Sequence, residues 1–390
     1  MEPTRDILHI SLLDYGGAYV AAQNLVAQQT KFGMSSELIV LSTHENARTR
    51  FLYRIFAKID YEIAKPFNIS IFKSLAMRIL LHKHRSTIKK AKVIHLHWMP
   101  GLLPVVFFEK LRKTKIVWTL HDMNAFTGVC HNSMSCGEFR KDCDNCPMLN
   151  RSLKWIPPLL LKRKKSLNTK FEINYIAPSK WMANLVALGS MVEDLTKIKV
   201  VPNVVNLKTY KPAEIVSQQD FFTVGILGSN YENAKNAEFS FQIVEKLAKQ
   251  SDKLIKTVTF GESFKSQSYS ENLFSIPPGS SPLKMNEGFI ACDVFLFLSK
   301  VESFGNMVAE SLASGVPVIL LKGTGAAENI VHGQTGFIIE EDEISILLEL
   351  QELSNSSTVL EDMKINSRRF AEEKFNGQHS NSSYIEIYNL

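Results

Sequence analysis

The sequence alternates short apolar runs with segments long enough for amphipathic helices, and this alternation most restricts the possible folds. In the first half, the apolar runs cover residues 7–13, 37–41, 93–97, 116–120, 173–177 and 197–201. The pattern restarts at residues 222–227 and continues at 257–260, 294–298, 316–320 and 336–339. Strands that alternate with helices are typical of parallel sheets joined by crossover helices. The sequence therefore predicts an α/β protein with one parallel sheet in each half.

Length and composition favour two folded domains. A chain of 390 residues is too long for one ordinary hydrophobic core and suits two domains of about 200 and 170 residues. With 45% hydrophobic and 22% charged residues, the chain can bury substantial cores and has no signature of disorder. Lys211-Pro212 and neighbouring polar residues interrupt the pattern near residues 206–219, so we expect the domain boundary there.

Two glutamates, Glu302 and Glu310, bracket a stretch that predicts a ligand site. Eight residues of helix rise about 12 Å, whereas carboxylates that cooperate in glycoside hydrolysis lie about 5 to 9.5 Å apart. The spacing suits a long ligand instead. Amides of Gly305, Asn306 and Met307 would lie at a helix N-terminus, where unpaired N–H groups favour a diphosphate or hydroxyl groups. The alternative is an exposed glutamate pair on an ordinary amphipathic helix.

The segment from Leu298 to Gly336 closely resembles the donor site of family-4 retaining glycosyltransferases, which have the GT-B fold. The resemblance extends over nearly the whole chain and keeps the family's order of motifs. These motifs are Gly16-Gly17-Ala18, His95-Leu96-His97-Trp98, Thr119-Leu120-His121-Asp122-Met123, Ala177-Pro178-Ser179-Lys180, Pro202-Asn203, residues 225–235, and the glutamate pair with Gly315-Val316-Pro317 after it.

The resemblance implies two Rossmann-like domains that face each other across a cleft. Residues 1–205 would form the acceptor domain, with a cysteine-rich insert at 128–148, and residues 206–372 the nucleotide-sugar donor domain. Residues 373–390 would form a helix that crosses back to the N-terminal domain. The implied reaction is transfer of a sugar, a hexose by expectation, with retention of anomeric configuration and no cofactor required for catalysis. We assign no covalent nucleophile and no general base.

The same resemblance implies roles for individual residues. His121 and Glu302 would orient the transferred sugar, Lys235 would neutralise the leaving diphosphate, and Glu310 would bind the ribose. Fixed positive charge suits this reaction because the diphosphate gains negative charge as the glycosidic bond breaks. The expected donor-binding residues are Gly16, Gly17, Gly228, Ser229, Asn230, Ser303, Phe304, Gly305, Asn306, Met307 and Glu310. The alternatives are a simple turn at Gly16-Gly17 and a structural role for His121.

The chain departs from the family pattern at two places. Many members carry an arginine soon after the glycine that ends the strand at residues 222–227, but this chain has Gly228-Ser229-Asn230. Hydroxyl and amide groups would serve there, or Lys180 or Lys300 would replace the arginine. Val204-Val205-Asn206 also replaces the usual glycine and aspartate after Pro202-Asn203, which alters the hinge.

Four cysteines occur within seventeen residues: Cys130, Cys136, Cys143 and Cys146. Cys143 and Cys146 form a C-x-x-C motif, and two nearby thiols would complete a structural zinc site, with His131 as a spare ligand. The alternative is four thiols without metal. The pattern resembles a subgroup of bacterial capsule and exopolysaccharide glycosyltransferases, including colanic-acid-type enzymes. The insert follows His121, so we expect it to shape the acceptor side.

The distribution of charge suggests a membrane surface as a partner. The net charge is +6, and residues 151–170 contain seven Lys or Arg and no acidic residue. Apolar residues are interleaved with the basic ones there and at residues 50–92, as in segments that bind anionic membranes. A solvated basic helix face is the alternative. Stacking platforms and recognition motifs for nucleic acid are absent from the sequence, so no nucleic-acid partner is expected.

The expected function is transfer of a sugar from a UDP- or GDP-sugar to a saccharide or polyprenyl-linked acceptor in surface polysaccharide biosynthesis. The sequence shows no secretion signal and no run of 18 or more apolar residues, so we expect a cytoplasmic protein that associates peripherally with the inner membrane. Two other functions stay open. One is a catalytically inactive GT-B scaffold for binding or assembly, and the other is a GT-B sugar-nucleotide epimerase.

Overall fold

The alternation of strands and helices is present in the computed structural model, which describes residues 6–42, 47–64, 69–71, 81, 84–100, 114–213, 220–228, 234–261 and 271–389. The chain forms two compact units. The first comprises Met1–Pro202 and Gln378–Leu390, and the second comprises Asn203–Gly377. The boundaries predicted from the sequence are residues 205–206 and 372–373.

The first unit is built on a six-stranded sheet with the order β2-β1-β3-β4-β5-β6, in which all pairs are parallel. The strands are β1 (Ile7–Leu13), β2 (Ser36–Ser42), β3 (Val93–Leu96), β4 (Lys115–Thr119), β5 (Ile173–Ala177) and β6 (Ile198–Val200). The described helices are α1 (Gly17–Lys31), α2 (Ala47–Ala64), α3 (Arg85–Lys90), α4 (Ile156–Lys170), α5 (Lys180–Leu188) and the C-terminal α11 (Gln378–Tyr388).

The second unit repeats the architecture with the strand order β12-β11-β10-β7-β8-β9, again all parallel. Its strands are β7 (Phe221–Leu227), β8 (Leu254–Phe260), β9 (Glu271–Ile276), β10 (Val294–Phe297), β11 (Val318–Leu321) and β12 (Gly336–Ile339). Its described helices are α6 (Ala237–Gln250), α7 (Pro282–Ile290), α8 (Asn306–Ala313), α9 (Glu343–Asn355) and α10 (Ser357–Lys374).

The strands are apolar because both faces of each sheet are covered. All seven residues of β1 are buried, as expected for a parallel sheet between two helical layers. Successive side chains of a strand point to opposite faces. Leu8, Ile10 and Leu12 accordingly join one hydrophobic cluster, whereas Ile7 joins another.

Helix α11 packs on the first sheet, as predicted for the C-terminal helix. Tyr384, Ile387 and Tyr388 are buried there against β-strand residues that include Ile7 and Val117. Unit 1 therefore contains both ends of the described chain.

Within the residues described here, no helix has the length and apolar character needed to cross a bilayer.

Candidate functional site

Ligand sites in open parallel sheets lie beyond the carboxyl ends of the strands, where the strand order reverses. In the first sheet the reversal falls between β1 and β3, and in the second between β7 and β10. The first unit places Gly16-Gly17 after β1 and His97 after β3. The second unit places Gly228 after β7 and Glu302 after β10. The predicted residues therefore lie at the positions that this topology favours for ligands.

Lys235 and Glu302 form an ion pair in the second unit, with Nζ and Oε2 2.6 Å apart. Their side chains are 34% and 19% exposed, so the pair is reachable from solvent. Backbone contacts fix its position. The carbonyl of Ala234 accepts hydrogen bonds from the Lys300 amide (2.8 Å) and the Ser299 hydroxyl (3.3 Å). The segment that carries Lys235 is therefore held against the loop that carries Glu302.

Helix α8 begins next to this pair and offers its N-terminal amides. Gly305 immediately precedes the helix with φ of +78°, and a Cβ there would lie 2.7 Å from the Ala326 Cβ. Both conditions require glycine. The Asn306 Oδ1 accepts a hydrogen bond from Asn203 Nδ2 at 2.9 Å. The close approach at Gly305 keeps the first turn of the helix near the loop of Glu302, whose carbonyl accepts from the Gly325 amide.

The remaining residues of the predicted α8 segment differ in exposure. Phe304 is 2% exposed and belongs to the hydrophobic core, and its carbonyl accepts from Asn329 Nδ2. Ser303 and Met307 are partly exposed. A contribution of Phe304 to ligand binding would therefore come from its backbone.

Glu310 is 5% exposed and forms a hydrogen bond with the Tyr210 side chain. Burial raises the pKa of the Glu310 carboxyl to about 8, although the hydrogen bond from Tyr210 acts in the opposite direction. Removal from water disfavours the charged form of a carboxyl. The structure therefore contains a glutamate that is largely protonated at neutral pH.

The glycine-rich positions lie at the predicted strand ends. The Gly228 amide donates to the Phe260 carbonyl at 2.8 Å, which extends the pairing of β7 with β8. Ser229 and Asn230 lie outside the described residues. In the first unit, Gly16 precedes α1 with φ of +87°, and a Cβ there would meet no atom within 4 Å; Gly17 is the first residue of that helix.

A pocket in the first unit lies at the carboxyl ends of β3 and β4. Its lining includes His97, Trp98, Thr119, His121, Asp122 and Asn124. His121 Nε2 lies 3.0 Å from His97 Nδ1. Burial lowers the pKa of His121 to about 4, although the Asp122 charge raises it. His121 is therefore neutral at physiological pH.

Asp122 organises the wall of this pocket. Its Oδ2 accepts from Trp98 Nε1 at 2.7 Å and lies 2.5 Å from His131 Nδ1. The other ring nitrogen of His131 lies 2.7 Å from the Ser70 hydroxyl. Burial raises the pKa of Asp122, but the charge and hydrogen bond of His131, together with other bonds, outweigh it and hold the pKa below its ordinary value. His131, the spare zinc ligand of the sequence prediction, is thus engaged with Asp122 and Ser70.

The five cysteines of the chain are free thiols. Burial, with the neighbouring cysteines adding to it, raises the pKa of Cys130 to about 12 and that of Cys143 to about 11. In the part of the chain that the structure describes, only His9, His95 and His97 form a group of three or more potential ligands within 4.8 Å of one another. A zinc ion bonds sulfur at about 2.3 Å in a closed tetrahedron. Zinc at the four cysteines would therefore require their sulfurs to lie closer together than they do in this structure.

The two bases suggested as replacements for the missing arginine lie in different units. Lys300 forms an ion pair with Glu341 at 2.5 Å in the second unit. Lys180 is the first residue of α5 in the first unit.

Sequence reasoning missed three residues that support the site. Tyr210 binds Glu310 from a position one hundred residues earlier, Asn203 binds the first residue of α8, and His97 binds His121. In the sequence, His97 stands out only as part of the motif His95-Leu96-His97-Trp98. His97 lies next to His121 because it follows β3 and His121 follows the adjacent strand β4, and the sequence pattern predicted both strands.

Comparison with known proteins agrees with this geometry. Residues 15–209 match the profile described as Glycosyltransferase Family 4, and residues 213–370 match Glycosyl transferases group 1. WcaC of Escherichia coli K12, described as a colanic acid biosynthesis glycosyl transferase, is 23% identical over 330 residues, which are 80% of this chain and 76% of WcaC. CapM of Staphylococcus aureus, a capsular polysaccharide biosynthesis glycosyltransferase, is 36% identical over 98 residues, which are 25% of this chain and 26% of CapM.

Solved structures share the fold at low sequence identity. Anabaena HepE in complex with UDP-glucose has a TM-score of 0.64 and 16% identity, covering 98% of this chain and 99% of HepE. Sucrose-phosphate synthase from Thermosynechococcus elongatus has a TM-score of 0.66 and 14% identity, covering 98% of each chain. The predicted GT-B fold, with two Rossmann-like domains, is confirmed. Since the family 4 profile spans half of the chain and the group 1 profile most of the rest, the chain belongs to glycosyltransferase family 4.

Proposed function

We propose that this glycosyltransferase moves a hexose from a UDP- or GDP-sugar to a saccharide or polyprenyl-linked acceptor, with retention of configuration, in surface polysaccharide biosynthesis. The observation that carries the proposal is the Lys235–Glu302 pair at the start of α8. An ammonium group and helix N-terminal amides together suit a diphosphate. The names of WcaC and CapM support a polysaccharide product, and the UDP-glucose bound to HepE supports a nucleotide-sugar donor.

The ion pair suggests how the donor is engaged. A diphosphate competes with the Glu302 carboxylate for the Lys235 ammonium, so donor binding would release Glu302 to accept hydrogen bonds from sugar hydroxyls. Lys235 then faces a group that gains negative charge as the glycosidic bond breaks, and its attraction is strongest in the transition state.

Further roles follow the sequence prediction. His121 orients the transferred sugar, and Glu310 binds the ribose. In the proposal the leaving diphosphate assists attack on the same face of the sugar, so no side chain acts as a covalent nucleophile and no metal takes part in the transfer. Structural zinc at the four cysteines stays a prediction, which metal analysis of the purified protein would test.

Helix α2 supports peripheral binding to an anionic membrane on the cytoplasmic side. Phe51, Ile55 and Ile59 are exposed and spaced four residues apart, so they form one stripe. Arg54 and Lys58 are exposed beside them. Apolar side chains next to basic ones suit an anionic bilayer surface. Helix α4 contributes less than expected, because Leu160 and Leu161, two of its apolar residues, are buried in the protein.

A donor screen tests the proposal. Purified protein is tested by thermal shift and nucleotide release against UDP- and GDP-sugars, with Glu302→Ala and Lys235→Ala as variants. Lys322→Ala is a matched control, since Lys322 forms an exposed ion pair with Glu340 in the same unit. We expect one nucleotide sugar to stabilise the protein and release nucleotide, with release lost in both site variants and kept in the control. NMR of the product's anomeric configuration tests retention.

No binding and no release with any donor would refute the transferase proposal and favour the inactive scaffold. Conversion of the sugar without transfer would favour an epimerase.

A further inference from the structure

Four buried or partly buried histidines, His9, His95, His97 and His121, form a column in the first unit, in which hydrogen bonds join His9 to His97 and His97 to His121. β1 and β3 pair in register with His9 opposite His95, and His97 lies two residues further along, on the same face of the sheet as His95. The ring centroids of His95 and His97 are 4.4 Å apart, and those of His97 and His121 are 5.3 Å apart. The column thus leads from the centre of the sheet to the pocket that contains His121.

Metal binding does not explain this cluster, although His9, His95 and His97 have ligand atoms within 4.8 Å of one another. All six of their ring nitrogens already have hydrogen-bond partners. The bonds join His9 to His97 (2.9 Å) and Gln29 (2.9 Å), His95 to Tyr388 (2.7 Å) and Thr119 (2.7 Å), and His97 also to His121 (3.0 Å). A metal ion held by one nitrogen of each ring would have to break at least two of these bonds.

The rings are neutral, because burial lowers the pKa of His9 and His121 to about 4 and that of His95 and His97 well below its ordinary value. A neutral imidazole has one N–H donor and one lone-pair acceptor. In a chain of such rings, the direction of the first hydrogen bond therefore fixes the direction of every later one.

Gln29 supplies that first direction. It is fully buried, its Nε2 donates to the Tyr388 hydroxyl at 3.0 Å, and its Oε1 accepts from the Ser36 hydroxyl at 2.6 Å. The same Oε1 faces His9 Nε2, and an amide oxygen can only accept. His9 must therefore carry its proton on Nε2 and accept through Nδ1.

The remaining assignments follow along the column. His97 Nε2 must donate to His9 Nδ1, which leaves His97 Nδ1 as an acceptor. His121 Nε2 must then donate to His97 Nδ1. His121 consequently carries its lone pair on Nδ1, which can only accept a hydrogen bond.

We propose that Gln29, His9 and His97 are positioning residues that set the tautomer of His121, so that His121 meets the transferred sugar as a hydrogen-bond acceptor through Nδ1. The contact with sugar rests on the proposed function, whereas the tautomer does not. A sugar hydroxyl donates to such a nitrogen with the ring held in one orientation. In the opposite tautomer Nδ1 would donate, and the hydroxyl would lose its acceptor.

NMR of the full chain with 15N-labelled histidine tests the tautomer without any substrate. The His121 signals are assigned by their loss in His121→Asn. We expect a protonated Nε2 and an unprotonated Nδ1 in the wild type. In Gln29→Met, which is similar in size but has no amide oxygen, we expect both tautomers of His121. Gln29→Glu keeps an oxygen acceptor towards His9 and should restore the wild-type tautomer.

His95→Phe is the matched control, because it removes two equally buried hydrogen bonds outside the path from Gln29 to His121. It should leave the His121 tautomer unchanged. A protonated Nδ1 in the wild type would overturn the proposal, and this measurement needs no variant to fold. The same tautomer in Gln29→Met as in the wild type would also overturn it.

Kinetics tests the sugar contact separately. With the nucleotide sugar that the donor screen identifies, Gln29→Met should lower kcat in proportion to the fraction of His121 that the NMR spectra show in the opposite tautomer, about twofold for equal populations, with KM for the donor within about twofold. Gln29→Glu should recover most of the rate. An altered tautomer with unchanged kcat would refute the contact through Nδ1. If the screen finds no donor, the proposed function fails while the NMR result still decides the tautomer.

Discussion

Burial of the Glu310 carboxyl makes the stability of the second unit depend on pH. The folded protein holds this proton up to a pKa of about 8, whereas the ordinary value is 4.5. Between these two values the unfolded chain releases a proton that the folded chain keeps. The folded state therefore binds more protons, and its stability falls as the pH rises through this window.

The size of the effect follows from the two pKa values. Each pH unit between them is worth about 1.4 kcal/mol, so the full difference is on the order of 5 kcal/mol. This stabilisation is present below pH 4.5 and is lost by about pH 8. Glu310→Gln replaces the carboxyl with an amide of similar size, which does not titrate.

Urea unfolding of the wild type and Glu310→Gln at pH 5, 6, 7 and 8 measures the effect, since the difference between the two curves cancels the other titrating groups. We expect the stability of the wild type relative to the variant to decrease by several kcal/mol from pH 5 to pH 8. Glu287→Gln, at an exposed position of α7, is the control for the loss of one glutamate from the same unit. Parallel loss of stability in the wild type and Glu310→Gln would refute the reasoning.

Three further perturbations have expected outcomes. Lys235→Met should lower kcat for nucleotide release about 100-fold or more, since one fixed donor to a developing anion contributes this much, and steady-state kinetics against Lys322→Met checks it. Lys164 is fully buried and donates to the carbonyls of Asn124, Thr127 and Gly128. Lys164→Met should therefore lower the free energy of unfolding by about 3 kcal/mol or more. Urea unfolding measures this loss, and an unchanged midpoint would contradict it. Phe51→Ser should reduce co-sedimentation with phosphatidylglycerol vesicles by at least about threefold. Equal binding of the wild type to phosphatidylglycerol and phosphatidylcholine vesicles would contradict the proposed preference for an anionic membrane.

The apolar pattern predicted the interior strands β1, β10 and β11 most directly, because these strands have an apolar residue at almost every position. β1 is an uninterrupted apolar run apart from His9 and Ser11, and both faces of a central parallel strand must be buried. β9 was missed because its sequence, Glu-Asn-Leu-Phe-Ser-Ile, begins with polar residues. It lies at the edge of the second sheet, where one side of the strand has no neighbour and polar residues are tolerated.

The candidate site was predictable in part, for a physical reason. The resemblance to the family singled out His121, Lys235 and Glu302 as candidates, and each of them follows a strand whose position the apolar pattern gives. The partners depend on how strands far apart in sequence are placed side by side. Gln29 and Tyr388 meet across 359 positions, and no local pattern encodes that contact. The cysteine spacing showed that four thiols are close together but not how far apart their sulfurs lie.

The position of α11 in the first unit has a consequence for how the protein is made. Domains generally fold in order as they leave the ribosome, but residues 378–389 are synthesised only after the whole of the second unit. Until then Gln29 and His95 lack the hydroxyl of Tyr388, and the apolar surface that Tyr384 covers is open. The first unit therefore cannot complete its fold until about 175 intervening residues have been synthesised. During that interval the first unit exposes apolar surface that the finished protein covers, which is the kind of surface that promotes aggregation during folding.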